Sequence, residues 1–363
     1  MSAKPAVSLL YVRYPHHSRW SGYPRFTEYL DGMVRARHVG PTLGPRVVTT
    51  PAFKLHPLPK LSPRVLGFDL SAARRLALGR GEVVHLLYGE TDSNYFYSDH
   101  LHRFGHLRGN VLVSTFHQPV SLLGTQKIFD HLDAAIALGT QAGAFIAGIM
   151  GSQRVFRASL GVDAQAWHPD QSQKAPAPVL MFVGTWLRDF SLLGRVVRLL
   201  VAEEPRVRFE IVTGFGHGEA LAELSNVTVH EGISDEELRR LYQRAWVHVL
   251  PLIDGTGTNA LLEGMACGLP TVTSAVGDVV DYTGKHGAIC VRPDDANAMA
   301  DAVLGLIRDR RRRDELGRAA REAAEVHRLE VTGRRHAEIY CTLAGRRRAS
   351  VFFAARAKSQ PRA

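Results

Sequence analysis

The sequence predicts an α/β protein of two domains, each built on a doubly wound parallel sheet. Short apolar runs, at residues 7–12, 83–88 and 111–116 for example, alternate with segments of helical periodicity. These runs are apolar throughout, which is typical of strands buried on both faces of a parallel sheet. The alternation starts again after a segment rich in Pro and Gln at residues 167–178. Ligands of such sheets bind at the carboxyl ends of the strands, so we expect two domains facing across a ligand-binding cleft.

The domain boundaries follow from these changes in composition. The first domain is predicted at residues 1–166, the linker at 167–178 and the second domain at 179–330. A C-terminal helix is predicted at residues 331–348, where it would be able to pack back on the first domain. The last residues, 349–363, form a basic tail with one apolar patch. Disorder is the plainer interpretation of this tail, and an interfacial membrane helix is the open alternative.

Composition narrows the class of protein. The chain has 363 residues, of which 45% are hydrophobic and 22% charged, values that exclude a disordered or low-complexity protein. Its 45 basic and 35 acidic residues favour acidic partners such as nucleotides, nucleic acid or an anionic membrane. Three widely spaced cysteines argue against a disulfide framework and against a cysteine zinc site. The N-terminus lacks the pattern of a secretory signal, so the expected compartment is the cytoplasm, with the inner membrane face as an alternative.

The most informative segment is DGTGTNALLEGMACGLP, residues 254–270. An apolar strand ends just before it, a loop with Gly255 and Gly257 follows, and a helix begins near Thr258 or Asn259. Both of these are good N-cap residues, and glycines allow the backbone to approach a ligand closely. Because the first amides of a helix have no partner within it, this loop is a candidate phosphate site.

Glu263 lies about one turn into the same helix. A carboxylate beside a phosphate site is suited to accept hydrogen bonds from the two hydroxyls of a ribose. On these residues alone, a helix cap followed by a surface glutamate is the simpler interpretation.

The chain resembles the retaining glycosyltransferases of the GT-B fold, the group 1 or family 4-like glycosyl transferases. Glu263 and the residues after it, GMACGLPTVTSAVGD, carry the resemblance most specifically. Four further segments match in order and spacing: 160–169, 180–193, 227–250 and 287–295. The fold that this resemblance implies is two Rossmann-like domains facing across a cleft.

The resemblance also implies roles for individual residues on the donor side. Glu263 takes the family's second acidic position and would bind the ribose, and Arg188 takes the place of a lysine beside the diphosphate. Gly22 matches an N-terminal glycine loop that closes over the donor. Together with the backbone amides that would cradle the distal phosphate and the sugar, the implied donor site comprises Gly22, Arg188, Gly255, Thr256, Gly257, Thr258, Asn259 and Glu263.

On the acceptor side, His117 ends an N-terminal strand where the family has a cleft histidine near the transferred sugar. Its implied role is to orient the sugar or the acceptor, so it is the predicted catalytic residue. Glu90 and Asn94 belong to a polar, aromatic loop after another strand and are candidate acceptor contacts. The chain departs from the family at Gly255, where the first acidic residue is replaced; the nearest carboxylate is Asp254.

The implied activity is transfer of a sugar from a nucleoside-diphosphate sugar to a hydroxyl acceptor with retention of configuration. The co-substrate would be a UDP- or GDP-sugar, with no metal or other cofactor required, and the acceptor a sugar, a lipid-linked or a small molecule. No nucleic-acid reader motif is present in the sequence. Two alternatives stay open, a nucleotide-sugar epimerase on the same fold and a non-catalytic nucleotide-binding module.

Overall fold

The structure is a computed structural model that describes residues 4–11, 18–40, 63–90, 99–124, 127–214 and 216–358. Within these residues the chain forms two six-stranded sheets in which every strand pair is parallel. This confirms the predicted α/β class with two parallel sheets. The candidate acceptor residue Asn94 lies outside the described residues.

The first sheet has the strand order β2-β1-β3-β4-β5-β6. Its central strands β3 and β4 are buried along their whole length, as continuous apolar runs predict. The strands are β1 (Ala6–Leu10), β2 (Arg35–Val39), β3 (Glu82–Leu86), β4 (Val111–Phe116), β5 (Ala134–Ala137) and β6 (Val155–Arg157). The described helices between them are α1 (Pro63–Leu78), α2 (Asp99–Leu107), α3 (Val120–Leu123) and α4 (Thr140–Met150).

The second sheet has the strand order β12-β11-β10-β7-β8-β9. Its strands are β7 (Val179–Val183), β8 (Arg208–Val212), β9 (Val227–His230), β10 (Val247–Leu250), β11 (Thr271–Ser274) and β12 (Ala288–Val291). Its helices are α5 (Phe190–Glu203), α6 (Glu219–Ala222), α7 (Asp235–Arg244), α8 (Asn259–Ala266), α9 (Val279–Thr283), α10 (Ala296–Arg308) and α11 (Arg310–Glu325).

The second sheet changes its direction of winding between β7 and β10. The chain proceeds outward from β7 to β9, returns to the middle at β10, and then proceeds the other way to β12. The loops after β7 and β10 therefore leave neighbouring strands towards opposite faces of the sheet. Such a switch point leaves a crevice at the carboxyl ends of the strands, where doubly wound sheets bind their ligands.

The two compact units of the chain differ from the predicted domains at their edges. The second unit contains Ser159–Val331 and also residues 18–22, whereas the prediction placed residues up to 166 in the first domain. The reason is that Val162 exchanges backbone hydrogen bonds with His327 and Leu329, which hold this segment against the second unit. The first unit contains the described residues up to 11 and Tyr23–Ala158, and it resumes at Thr332.

The final helix, α12 (Leu329–Lys358), returns the chain to the first unit from Thr332 onward. It buries Ala337, Ile339 and Tyr340. Its backbone stays helical to Lys358, past residue 348 where the prediction ended the helix and began a tail. The described helices include none long and apolar enough to cross a membrane.

Buried polar side chains join α12 to the first sheet through hydrogen bonds. His336 Nδ1 lies 2.8 Å from the carbonyl oxygen of Thr332, and its Nε2 lies 2.6 Å from the hydroxyl of Tyr23. A carbonyl oxygen can only accept, so Nδ1 carries a proton; burial lowers the pKa of His336 to about 4, so near pH 7 this is the ring's one proton and Nε2 accepts from Tyr23. His336 is therefore held as a neutral imidazole.

The same directional argument extends through the sheet. The Tyr23 hydroxyl donates to His336, so it accepts from Thr115 at 2.7 Å, and Thr115 in turn accepts from His85 Nε2 at 2.8 Å. His85 Nδ1 then accepts from the Tyr340 hydroxyl at 2.6 Å. In this series of hydrogen bonds every donor has one acceptor. This holds only while both His85 and His336 are neutral.

Candidate active site

Arg188 lies in the loop after β7, and its side chain folds back onto the end of that strand. The guanidinium donates to the carbonyl of Val183 from Nε at 2.9 Å and to that of Trp186 from Nη1 at 3.2 Å. Gly184 has a φ of +113°, and a Cβ there would lie 2.6 Å from Nε and Nη2 of Arg188. Position 184 therefore requires glycine, both for its backbone angle and for the space that the guanidinium occupies.

The positive charge of Arg188 is poorly compensated. Burial lowers its pKa to about 10, against the opposing effect of Tyr242 and Glu263, so the group is still protonated at neutral pH. Among the described residues no carboxylate lies within ion-pair distance of it. A partly desolvated cation in this state is expected to bind an anion, and a guanidinium suits phosphate oxygens in particular.

The loop after β10 is hydrogen-bonded to the loop after β7. Ile253 N–H donates to the Leu187 carbonyl at 3.1 Å, and Asp189 N–H donates to the Pro251 carbonyl at 3.1 Å. Arg188 and Leu252 form an antiparallel bridge between the two loops. The switch point therefore brings Arg188 beside the segment that leads into α8.

Helix α8 begins with an exposed set of amides, as predicted. Thr258 is the N-cap, and its hydroxyl accepts from Leu261 N–H at 3.1 Å. In the described part of the chain the N–H groups of Gly257 and Asn259 have no acceptor. Free amides and the positive end of the helix dipole together favour an anion at this point.

The two glycines of this loop are not equivalent. A Cβ at Gly257 would lie 2.3 Å from the Tyr282 ring, whereas a Cβ at Gly255 would meet only Val279 Cγ2 at 3.3 Å. We expect Gly257→Ala to lower the free energy of unfolding by about 2–3 kcal/mol, and Gly255→Ala by less than about 1 kcal/mol. Urea unfolding followed by tryptophan fluorescence measures both; equal losses would show that the tight approach to Tyr282 is unimportant.

Glu263 lies in the second turn of α8 and is only 4% exposed, so the alternative of a surface glutamate is wrong. Its carboxylate accepts hydrogen bonds from two hydroxyls, that of Tyr242 at 3.3 Å and that of Ser21. Burial raises its pKa to about 7, although both hydrogen bonds and the charge of Arg188 oppose this shift. The site thus contains a buried carboxylate that two hydroxyl groups solvate.

Residues 18–22, here called the strap, bring Ser21 to Glu263. Ser21 also accepts from the indole N–H of Trp167 at 2.9 Å. Trp20 contacts the edge of Trp167, with ring centroids 5.4 Å apart, and the Arg239 guanidinium lies 4.8 Å from the Trp20 ring. The strap ends at Gly22, whose φ of +106° turns the chain away.

Acidic residues at the start of α7 hold the other end of the strap. Arg19 donates from its backbone N–H to Asp235 and from its guanidinium to Glu236, both at 2.6 Å. The strap therefore holds Gly22 near Glu263 within the second unit. The predicted donor site includes both residues, so it required them to lie near each other.

Tyr242 and Ser21 are site residues that sequence reasoning missed. Ser21 stands next to the predicted Gly22, and this adjacency was the only available signal. Tyr242 lies 21 residues before Glu263 on another helix, so no local spacing connects the two.

Helix α8 packs tightly on β10 through His248. A Cβ at Gly264 would lie 2.8 Å from Nδ1 of this imidazole, which is fully buried. Burial first, and then the charge of Arg188, lower the pKa of His248 to about 3. The imidazole is therefore neutral and adds no charge to the site.

His117 and Glu90 are joined to each other in the first unit. The His117 backbone N–H donates to Glu90 Oε1 at 2.8 Å, and its Nε2 donates to the Leu87 carbonyl at 2.7 Å. The ring stacks on Tyr88 with centroids 4.6 Å apart. Burial lowers the pKa of His117 to about 4, so it is neutral near pH 7 and suited to orient a ligand rather than to protonate one.

His106 in α2 pairs with a carboxylate rather than with other metal-binding side chains of the described residues. His106 Nε2 bonds to the carboxylate of Asp133. No group of three or more His, Cys, Asp or Glu among those residues is arranged to hold a metal ion.

Comparison with known families gives a match over the second unit. Residues 177–309 match the family described as Glycosyl transferases group 1. The matched range contains Arg188, the loop after β10 and Glu263.

Curated relatives are similar at 27% identity. They include a D-inositol 3-phosphate glycosyltransferase of Kribbella flavida, over 62% of this chain and 60% of that protein, and one of Nocardioides sp., over 50% and 46%. The sulfoquinovosyl transferase SQD2 of Arabidopsis thaliana matches over 46% of this chain and 36% of its own length. The chain thus spans about half the length of the curated relatives it matches.

Solved structures share the fold over nearly the whole chain. Sucrose-phosphate synthase from Thermosynechococcus elongatus superposes with a TM-score of 0.68 and 18% identity, covering 93% of this chain and 99% of that one. Anabaena HepE, solved with UDP and glucose, gives a TM-score of 0.66 and 13% identity with the same coverage. These similarities confirm the predicted GT-B fold.

Proposed function

Because residues 177–309 match the family described as Glycosyl transferases group 1, we propose that the protein transfers a sugar from a nucleoside-diphosphate sugar to a hydroxyl acceptor with retention of configuration. The observation that carries the proposal is the switch point of the second sheet. There the loop that carries Arg188 is bonded to the loop that leads into α8, and α8 carries both the amides at its start and the buried Glu263.

The reaction needs a diphosphate to leave with its charge stabilised. Arg188 and the N–H groups of Gly257 and Asn259 are fixed donors that supply this stabilisation, and they need no reorganisation as charge develops. The crystallised relative HepE binds UDP-glucose, which agrees with a UDP-sugar as donor; a GDP-sugar is the second candidate.

Glu263 is the proposed ribose ligand. In the structure two hydroxyls, those of Ser21 and Tyr242, donate to its carboxylate. The ribose hydroxyls would replace Ser21 while Tyr242 keeps the carboxylate oriented. Nucleotide binding then requires the strap to give up one hydrogen bond, which makes residues 18–22 part of donor recognition.

His117 is proposed to orient the transferred sugar or its acceptor, with Glu90 and Asn94 as acceptor contacts. Retention follows from the resemblance to the family. The acceptor is a sugar, a lipid-linked or a small molecule, and the proposed compartment is the cytoplasm, with contact at the membrane surface as a second possibility.

A panel of UDP- and GDP-sugars, incubated with and without candidate acceptors, tests the function. Release of nucleoside diphosphate that depends on an acceptor, with an α-linked product from an α-linked donor, is the expected result. Isomerised donor without transfer would support the epimerase, and binding without turnover would support the non-catalytic module; either would overturn the proposal.

His117→Ala should separate orientation from binding. We expect turnover to fall about 100-fold, the scale on which misplaced reactants slow a reaction, while nucleotide affinity changes less than about twofold. Steady-state kinetics and calorimetry with the free nucleotide measure the two effects. Equal loss of both would identify His117 as a structural residue.

A further inference from the structure

We propose that the second unit has a separate anion site, which binds a phosphate-bearing small molecule in a groove at the opposite edge of the sheet from the donor site. The groove has a volume of about 890 Å³ and is bounded by residues 169–176, by Trp246 and Pro270, and by one face of α11. Trp246 and Pro270 immediately precede β10 and β11, so the groove lies at the amino ends of these strands. Arg188 and the start of α8 lie at the carboxyl ends.

The groove concentrates positive charge. Five cationic side chains line it, against two carboxylates, those of Asp314 and Glu322. Four of the cations project from α11 at positions 310, 313, 318 and 321, a spacing that places them on one side of a helix. The fifth, Lys174, reaches in from the opposite wall.

Two of these cations are held rigidly by neutral groups. The Arg313 guanidinium lies 4.1 Å from the Trp246 ring and donates to the carbonyls of Leu306 and Ile307. Arg321 donates to the carbonyls of Trp167, Ala266 and Ala164, which hold its charge at the wall of the groove. Its one carboxylate partner, Glu325, does not line the groove.

Lys174 and Arg318 are the cations best placed for a ligand. The Lys174 ammonium donates to the Ala245 carbonyl at 2.6 Å, and no described carboxylate pairs with it. Arg318 is exposed and likewise forms no ion pair with a described residue. Burial lowers the pKa of Lys174 to about 8, with the charge of Arg313 opposing protonation and that of Asp314 favouring it.

These features favour phosphate on a small molecule. The volume falls within the range of small-ligand sites, and the lining combines fixed guanidinium groups with a half-buried ammonium. Arg310 is paired with Asp314 at 3.6 Å, much as Arg311 outside the groove is paired with Glu315 at 3.5 Å, so the proposal depends on the other four cations of the groove.

Calorimetry of the full chain with inorganic pyrophosphate tests the site. We expect a binding event, additional to binding of pyrophosphate at the donor site, that weakens at least 10-fold in Lys174→Gln and in Arg318→Gln. Arg311→Gln, a control on the same helix, should leave the event unchanged. Arg188→Gln should leave it unchanged as well, because that residue belongs to the other edge of the sheet.

The pH dependence provides a second readout. Binding should weaken between pH 7 and pH 9.5 as Lys174 loses its proton, and Lys174→Arg should keep its affinity over this range. Sedimentation with phosphatidic acid vesicles assigns the phosphate to a lipid headgroup if protein is retained through Lys174 and Arg318; binding of pyrophosphate alone assigns it to a free molecule. No pyrophosphate binding, loss in Arg188→Gln, or equal weakening by Arg311→Gln would overturn the proposal.

Discussion

Glu263→Gln is expected to weaken nucleotide binding by about 1.5–3 kcal/mol, or roughly 10- to 150-fold, the scale for hydrogen bonds to a charged group. The amide keeps the shape of the side chain and bonds to the hydroxyls of Ser21 and Tyr242. It removes the negative charge and one acceptor oxygen that two ribose hydroxyls would share. Calorimetry with UDP and GDP measures the loss.

The same substitution should stabilise the second unit above neutral pH. Burial raises the pKa of Glu263 from about 4.5 to about 7, so the folded protein holds a proton that the unfolded chain releases. The resulting stability is fully present below pH 4.5 and is lost as the pH rises through 7, which amounts to about 3 kcal/mol by pH 8. Asp235 strengthens this shift and Arg188 weakens it. Glutamine does not titrate, so the variant escapes the loss.

A half-buried glutamate elsewhere in the second unit provides the control. Glu210 on β8 bonds to His230 at 2.6 Å and lies away from the switch point, so Glu210→Gln should leave nucleotide affinity unchanged. Tryptophan fluorescence in urea at pH 5.5 and pH 8 reports the stability of the second unit, since Trp20, Trp167, Trp186 and Trp246 all lie there. Unchanged nucleotide affinity in Glu263→Gln would contradict the assignment of Glu263 as the ribose ligand. Unchanged stability at pH 8 would contradict only the stability prediction drawn from its raised pKa.

The sequence predicted the sheets and the start of α8 because both depend on local patterns. Continuous apolar runs specify buried parallel strands, and Thr258 specifies an N-cap wherever a helix follows it. The exposure of Glu263 could not be read in this way. Its position within α8 was correct, but its burial depends on Tyr242 and Ser21, which the fold brings from distant parts of the chain.

The domain boundary shows the same limit. The Pro-rich segment at residues 167–178 has the composition of a linker, and the prediction divided the chain there. The structure begins the second unit at Ser159, because backbone hydrogen bonds from Val162 to His327 and Leu329 pair segments that composition does not relate. Residues 18–22 belong to that unit for a similar reason, since Arg19 finds its acidic partners at the start of α7.

Acid should destabilise the first unit. Burial lowers the pKa of His336 from 6.5 to about 4, and it also lowers that of His85 well below its ordinary value. The unfolded chain therefore binds more protons below pH 6.5, and stability present above that pH is lost as the pH falls towards 4. For His336 alone the loss between pH 7 and pH 5 is about 2 kcal/mol.

Protonation also breaks the directed chain of hydrogen bonds. A charged His85 donates from both ring nitrogens, so the Tyr340 hydroxyl would lose the acceptor to which it now donates. Burying a donor without an acceptor adds about 1–3 kcal/mol to the cost of charging the imidazole. We therefore expect α12 to detach from the first sheet when the histidines are protonated, because Tyr340 and His336 are the residues of α12 in this chain of hydrogen bonds.

Amide hydrogen exchange of β3 and β4 at pH 7 and pH 5, corrected for the intrinsic exchange rate, measures this loss, while tryptophan fluorescence follows the second unit. His336→Gln keeps a hydrogen-bonding side chain but does not titrate, so it should recover about 2 kcal/mol of the difference between the two pH values. His217→Gln, at an exposed position of the second unit, should recover none. If protection of β3 and β4 is the same at both pH values, the histidines are not neutral links between α12 and the sheet, and the directional assignment of their hydrogen bonds fails with them.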